Sequence, residues 1–215
     1  MPYTSADWVE AAAPQMGGCP LVTMQQEWLG ASKEFFTRST AWRQELAPIS
    51  IVAATDSYTL VSPVTDSEIA WVHQVSIPDR YLSPSAHHPV VLSTQTSNTP
   101  TQFSNPEPGV IRLWPMPSEN LDSMIVIASL YPTALTTSLP DYLGAQHFDV
   151  LLSGMLGRLM NYKNKPFSNP EGSAYHLSRF RSGMARVRAD AIHGLNESEN
   201  YWAFPKGFAR GRGYL

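Results

Sequence analysis

The stretch Leu139-Pro140-Asp141-Tyr142-Leu143-Gly144-Ala145-Gln146-His147-Phe148-Asp149-Val150-Leu151-Leu152-Ser153-Gly154-Met155-Leu156-Gly157-Arg158-Leu159 decides the fold class. Leu143, His147, Leu151, Met155 and Leu159 recur at every fourth residue, which places them on one face of an α-helix. Phe148, Leu152 and Leu156 widen that face until the helix is nearly buried all round. Ser138 and Pro140 supply a start signal, and the predicted helix runs to about Tyr162. Gly154 and Gly157 each lower helix propensity by about 1 kcal/mol, a cost that points to close contact with another helix.

Toward the C-terminus, Lys163–Ser168 reads as a turn, and Asn169-Pro170 gives a cap followed by proline at the first helical position. The final helix carries the stripe Leu177, Phe180, Met184, Val187 and Ala191, with Gly194 as its stop. Arg179, Arg181, Arg186 and Arg188 flank this stripe as two pairs at seven-residue spacing. They suit DNA phosphates, acids of an adjacent subunit, or simple solvation. Beyond residue 195 no period survives. Tyr201, Trp202, Phe204 and Phe208 alternate with Lys206, Arg210, Arg212 and glycines in an aromatic, basic arm over residues 197–215. Tyr, Trp and Arg are the residue types enriched at binding hot spots.

Toward the N-terminus the pattern changes to short β-branched and aromatic runs. Ile49–Val52, Ser57–Leu60, Ile69–Ile77, Val90–Leu92, Gln102–Ser104, Val110–Trp114 and Met124–Tyr131 are separated by Pro, Ser, Thr and Asn. Such spacing predicts an antiparallel sandwich or small barrel. Residues 80–109 hold few regular signals and read as a long loop with one or two minor strands, a length that points to binding or assembly. Upstream, Ser5 is the expected cap of a helix over Ala6–Ala13, which Pro14 and Gly17-Gly18 break. Pro20 opens a second helix with the stripe Leu21, Met24, Trp28, Ala31 and Phe35; Thr37–Arg43 continues or turns, and Pro48 closes the region. The expected organisation is α+β: residues 1–48 and 132–196 form a helical bundle, residues 49–131 an inserted antiparallel β-sandwich-like domain, and residues 197–215 an extended C-terminal arm.

Composition narrows the function. Charged residues are 15% and hydrophobic residues 43% of the 215, which excludes wholesale disorder. A net charge of −3 excludes a globally basic nucleic-acid binder. The charge is polarised: residues 1–155 sum to −9 and residues 156–215 to +6, an asymmetry typical of assembly or interaction arms. Cys19 is the only cysteine, so neither an internal disulfide nor a cysteine metal cluster is available. The N-terminal residues lack the basic start and apolar core of a signal peptide, and the longest apolar stretch, near Met124–Leu130, is far short of a membrane span. Folding in a reducing cytoplasm, with no membrane partner, is the expectation.

The catalytic search returns little. No Gly-x-Gly-x-x-Gly, Walker loop or Gly-x-Ser-x-Gly elbow occurs, and Gly207–Gly213 lacks the flanking strand and helix of a phosphate cradle. His87-His88 point apart on an extended chain with no ligand at metal spacing. His147 and Asp149, two apart, do not share a helix face, so His147 reads as a satisfied, half-buried polar group. Cys19, before Pro20, reads as a small buried residue. Asp141 and Glu171 start helices, where the dipole favours carboxylates for stability. No catalytic residue, cofactor or metal is expected.

Four stretches, in order, resemble one family. They are Cys19-Pro20 with the helix ending Glu34-Phe35-Phe36 and Thr40-Ala41-Trp42-Arg43; Ile49 to Leu60 with Glu68-Ile69; Gly109-Val110-Ile111-Arg112-Leu113-Trp114-Pro115-Met116-Pro117; and Leu139 to Leu159 with Lys165-Pro166-Phe167-Ser168-Asn169-Pro170, Ala174-Tyr175 and Phe180. Together they make the chain similar to the head-to-tail adaptor (connector) proteins of tailed bacteriophages. The turn Ala53-Ala54-Thr55-Asp56 departs from that pattern in lacking a glycine. The resemblance implies a non-enzymatic structural protein of the virion, assembled in the host cytoplasm into a ring, generally dodecameric. The ring docks the portal on one side, receives tail or nozzle components on the other, and passes genomic double-stranded DNA without sequence specificity. From the residue types of the arm, Tyr201, Trp202, Phe204, Lys206, Phe208, Arg210 and Arg212 are expected to contact the portal or a neighbouring subunit. The competing expectations are another phage tail-tube or terminator protein and, less favoured, a cell-wall hydrolase with a carboxylate pair.

Overall fold

The computed structural model describes residues 2–78, 80–85 and 98–193. In chain order the elements are β1 (Tyr3–Thr4), α1 (Ser5–Ala12), a 3₁₀ turn (Ala13–Gln15), α2 (Leu21–Ser39), β2 (Arg43–Glu45), β3 (Ile49–Ile51), β4 (Ser57–Thr59) and β5 (Ser67–Ile77). There follow β6 (Arg80–Tyr81), β7 (Ser83–Pro84), β8 (Gln102–Glu107), β9 (Val110–Trp114), β10 (Leu121–Pro132), β11 (Ser138–Leu139), α3 (Asp141–Met160) and α4 (Pro170–His193). The class is mixed α+β. The expected stretches Val90–Leu92 and His87-His88, the stop at Gly194 and the arm 197–215 lie outside the described residues.

The helices follow their apolar stripes. In α2, Met24, Trp28, Ala31 and Phe35 are buried, while the stripe's first member, Leu21, is 65% exposed in the opening turn. In α3, Leu143, His147, Leu151, Met155 and Leu159 are all buried. The two glycines of α3 lie where backbones crowd. A Cβ on Gly154 would come within 2.7 Å of the Phe180 ring and 3.1 Å of Ala31 Cβ; one on Gly157 would come within 2.8 Å of Leu177. α3 therefore packs tightly on both α2 and α4. Asn169 caps α4, its Oδ1 accepting from Gly172 N–H at 3.0 Å, with Pro170 in the first helical position.

Two helix starts differ from expectation. Thr4, not Ser5, is the cap of α1, and the Asp7 carboxylate accepts the Thr4 N–H at 2.6 Å. Ser138 does not start α3: it pairs with Thr4 across the β1–β11 ladder. Pro140 disfavours the helical region for Leu139, so the chain stays extended until Asp141. This ladder ties the N-terminus to the base of α3, where Tyr3, Trp8 and Phe148 cluster with ring centroids 5.1–5.8 Å apart. Trp8 Nε1 donates to Phe148 O at 3.2 Å.

Strand β10 organises the first sheet, ordered β2-β10-β5-β6 with β3 also paired to β10. All these pairings are antiparallel. Its alternate residues Met124, Val126, Ala128 and Leu130 are buried, the period of a strand with one face on the core, and β10 packs on α2. Thr37–Arg43 reads as a continuation of the helix or a turn, with no strand expected before Pro48. Instead Thr40 ends α2 in the left-handed conformation (φ 55°), which turns the chain so that Trp42 is buried and Arg43–Glu45 extends along β10. The second sheet is ordered β4-β9-β8-β7. It departs from a purely antiparallel arrangement, because β7 and β8 run parallel with Ser83 opposite Gln102. Buried apolar side chains from the helices and both sheets form one contiguous cluster, from Trp8 and Phe180 to Ile111 and Leu113.

The turn that lacks a glycine has a physical cost. Ala54 sits at φ 59°, a left-handed conformation in which a Cβ is disfavoured by about 1–2 kcal/mol. Replacing Ala54 by glycine is predicted to raise stability by about 0.5–1 kcal/mol, the backbone relief outweighing the extra freedom of the unfolded chain. A urea midpoint equal to or below wild type would contradict this. Conversely, Gly154→Val forces the Phe180 ring and Ala31 apart, and overpacking of this kind costs about 1–3 kcal/mol. Its urea midpoint is expected to fall with an unchanged m-value.

Candidate functional site

The four arginines of α4 are all exposed, but the fold separates their surroundings. The buried stripe residues Phe180 and Met184 run between them. Arg186 borders a hollow of about 510 Å³ between α3 and α4, with Tyr142, His147, Val150, Val187 and Asp190. Arg188 borders a different cleft, of about 460 Å³, formed where the end of α2, strand β5 and the last turn of α4 meet. Arg179 and Arg181 border neither hollow.

The hollow beside Arg186 has an apolar floor and one arginine and one aspartate at its rim. His147 is buried more deeply than expected, at 9% exposure, with its ring 5.0 Å from that of Phe35. Burial pushes its pKa below the ordinary value, and Asp190 partly opposes the shift. The imidazole thus packs on Phe35 of α2 while bordering the hollow. Cys19 is half-buried rather than buried, and burial raises its thiol pKa, the opposite of what activates a nucleophile. Asp141 and Glu171 occupy the first turns of α3 and α4. Among the described residues no group of three or more His, Cys, Asp or Glu is placed to hold a metal, and no helix is long and apolar enough to cross a membrane.

The cleft beside Arg188 was not legible from any one segment. Trp71 forms a wall, 57% exposed, its Nε1 donating to Thr37 O at 3.1 Å. Arg43 enters from β2 and donates to Thr40 O at 3.3 Å. Arg38, from the last turn of α2, is shared with Glu34 at 3.5 Å. His73 is the extra residue of a bulge, because Gln74 and Val72 pair with the consecutive residues Ile127 and Ala128. A second bulge at Ala70 lies on the other side of Trp71 and Val72. Bulges re-aim side chains, and these two bracket the residues that β5 contributes to the cleft. Burial, reinforced by the neighbouring Arg43 cation, lowers the His73 pKa to about 4. The imidazole is therefore neutral at pH 7, and its buried Nε2 has no hydrogen-bond partner among the described residues. Arg38, Arg43 and Arg188 border the cleft together with the Trp71 indole. They are suited to holding carboxylates or other anions.

The His73 shift has a consequence for stability. Its folded pKa lies below the unfolded value of 6.5. The unfolded chain therefore binds the proton first, and stability falls as pH drops from about 6.5 toward 4. After allowance for solvent screening the loss assigned to His73 is about 1 kcal/mol. His73→Gln is predicted to flatten the difference between urea midpoints at pH 7.5 and pH 4.5 by that amount. An unchanged difference would refute the assignment. The lowered pKa values of His147 and His176 supply a remaining slope of the same sign.

In comparison with known proteins, the family model described as SU10 adaptor protein matches residues 4–200 of the chain. The search of curated proteins found no match.

Proposed function

The chain belongs to the SU10 adaptor protein family, structural components of phage virions, and on that premise we propose that it forms a ring beneath the portal. The ring, a dodecamer in this reading, joins capsid to tail or nozzle proteins and continues the channel through which genomic DNA passes. The observation that carries the proposal is the extent of the family match, which takes in all four helices and every strand from β2 to β11. Residues 1–48 and 132–196 act as a helical bundle that builds the ring, and residues 49–131 as an inserted β-sandwich-like domain.

The channel role is passive. Each phosphate contact adds salt-dependent affinity, so a lining that lets DNA move avoids them. The −9 sum over residues 1–155 supports such a lining. Arg179, Arg181, Arg186 and Arg188 are exposed on α4 and available to acids of adjacent subunits or to DNA.

Attachment to the portal is assigned to the arm, residues 197–215. Tyr201, Trp202, Phe204 and Phe208 supply apolar anchors, and Lys206, Arg210 and Arg212 supply cations for acidic partners. Many arms engaging at once offset the ordering cost of each, because linked sites raise the effective concentration. Deleting residues 197–215 is predicted to leave the melting midpoint within about 3 °C of wild type. The same deletion should abolish stable attachment to portal, read by mass photometry of the mixture. Normal attachment by the truncated protein, or its failure to fold, would overturn the assignment.

A further inference from the structure

We propose that the cleft between the end of α2, strand β5 and the last turn of α4 seats the acidic link Asn196–Asn200 of its own chain, with Glu197 and Glu199 facing Arg43 and Arg188. This goes beyond the portal assignment and does not rest on it, because it concerns the isolated subunit and leaves residues from Tyr201 onward for partners.

The cleft is cationic and incompletely matched. Arg38 shares a carboxylate with Glu34. Arg43 donates only to the backbone and hydroxyl oxygens of Thr40, and among the described residues no carboxylate pairs with Arg43 or Arg188. The walls are apolar: Trp71 and Ile192 are 57% and 63% exposed. A good occupant therefore presents an apolar group and two acids on one side.

The sequence that follows α4 has this pattern. After His193 it reads Gly194-Leu195-Asn196-Glu197-Ser198-Glu199-Asn200. On an extended chain, alternate residues share a face. Leu195, Glu197 and Glu199 then point one way and Asn196, Ser198 and Asn200 the other. Leu195 suits the Trp71 and Ile192 walls, and the two glutamates suit the two arginines. Reach is ample. Ile192 itself lines the cleft, and the five residues to Glu197 span up to about 17 Å when extended. Glycine is the residue most often found where a chain reverses at a helix end, and the sequence has one at position 194. Residues 156–215 hold only four acids, and two of them are in this link. Docking there would fix the point from which the arm leaves the core.

Disulfide trapping in the otherwise full-length chain tests this. In a Cys19→Ser background, Thr37→Cys is combined with Leu195→Cys, whose side chain shares the cleft-facing side with the two glutamates, and intramolecular oxidation is followed by intact mass. The expected rate is at least about fivefold above that of a reference carrying Ser123→Cys with Leu195→Cys. Arg43→Glu with Arg188→Glu should remove that advantage, and so should Glu197→Gln with Glu199→Gln. Adding Glu197→Arg and Glu199→Arg to the charge-reversed cleft should restore it. A rate no faster than the reference would overturn the proposal, as would one indifferent to these charges. The latter is the result expected if the arginines take nucleic-acid phosphate. A cross-linked dimer as the main product would assign the cleft to the link of another copy and overturn it equally.

Discussion

The fold depends on how closely α3 can approach its neighbours. Gly154 and Gly157 let the rings and methyls of Phe180, Ala31 and Leu177 reach the α3 backbone, and Gly144 does the same for Tyr3 at the other end of the helix. From the α4 side, Gly183 leaves room for Val150, with a Cβ there falling 2.8 Å from its methyl. Four glycines in two helices sacrifice roughly 3–4 kcal/mol of helix propensity. Burying Phe180, Leu151, Met155 and Leu159, at about 1.5–3 kcal/mol each, is enough to offset it. The same principle operates on α2. Gly30 leaves the space into which Arg158 extends, and the guanidinium reaches Glu34 at 2.7 Å and Glu27 at 3.6 Å. Tyr162 adds a hydrogen bond to Glu27 at 2.7 Å. Apolar packing sets the spacing of α2 and α3, and this charged clasp sets their register.

From α2 the constraint passes to the sheets. Phe36 and Trp42 meet edge to face, with centroids 5.5 Å apart, just where the left-handed Thr40 turns the chain from helix into β2. Strand β10 receives β2, β3 and β5 along its length. Tyr58 then secures the turn after β3, its hydroxyl hydrogen-bonded to Thr55 O at 2.8 Å and Val52 O at 3.2 Å. The cleft with Arg43, Trp71 and Arg188 lies where these constraints converge. It exists because α2 ends at Thr40, β5 bulges at His73, and α4 is long enough to bring Ile192 to the same place.

Much of this was legible in the sequence, and the parts that were not share a cause. The helical stripes, the proline starts and the glycine contacts are local signals, and α2, α3 and α4 appear within a few residues of expectation. Val110–Trp114 forms a strand over the expected residues, and Met124–Tyr131 lengthens to Leu121–Pro132. The short strands β1, β2 and β11 carry too few residues for a period, and exist only because a distant partner supplies their hydrogen bonds. The parallel pairing of β7 with β8 is likewise a matter of topology. The arginines of α4 were visible as a set, but which of them faces a hollow depends on the rotation of α4 against α3 and β5. Trp71 and His73 gave no signal at all, since bulge positions are fixed by register with β10 rather than by β5 itself. Ala54 shows the reverse case: the missing glycine was visible as a departure, and the structure gives its conformational consequence.

Membership of the adaptor family, the tight helical packing and the concentration of positive charge after residue 156 fit a subunit whose work is done in contact with other chains. Electron cryomicroscopy of the head–tail junction of the virion that carries this chain is the most direct test. The account predicts a closed ring of this fold immediately beneath the portal. It also predicts continuous density for residues 201–215 against portal or a neighbouring subunit, and DNA along the axis without ordered base contacts. A junction that lacks the chain, or that holds it as single copies away from the channel, would contradict the account.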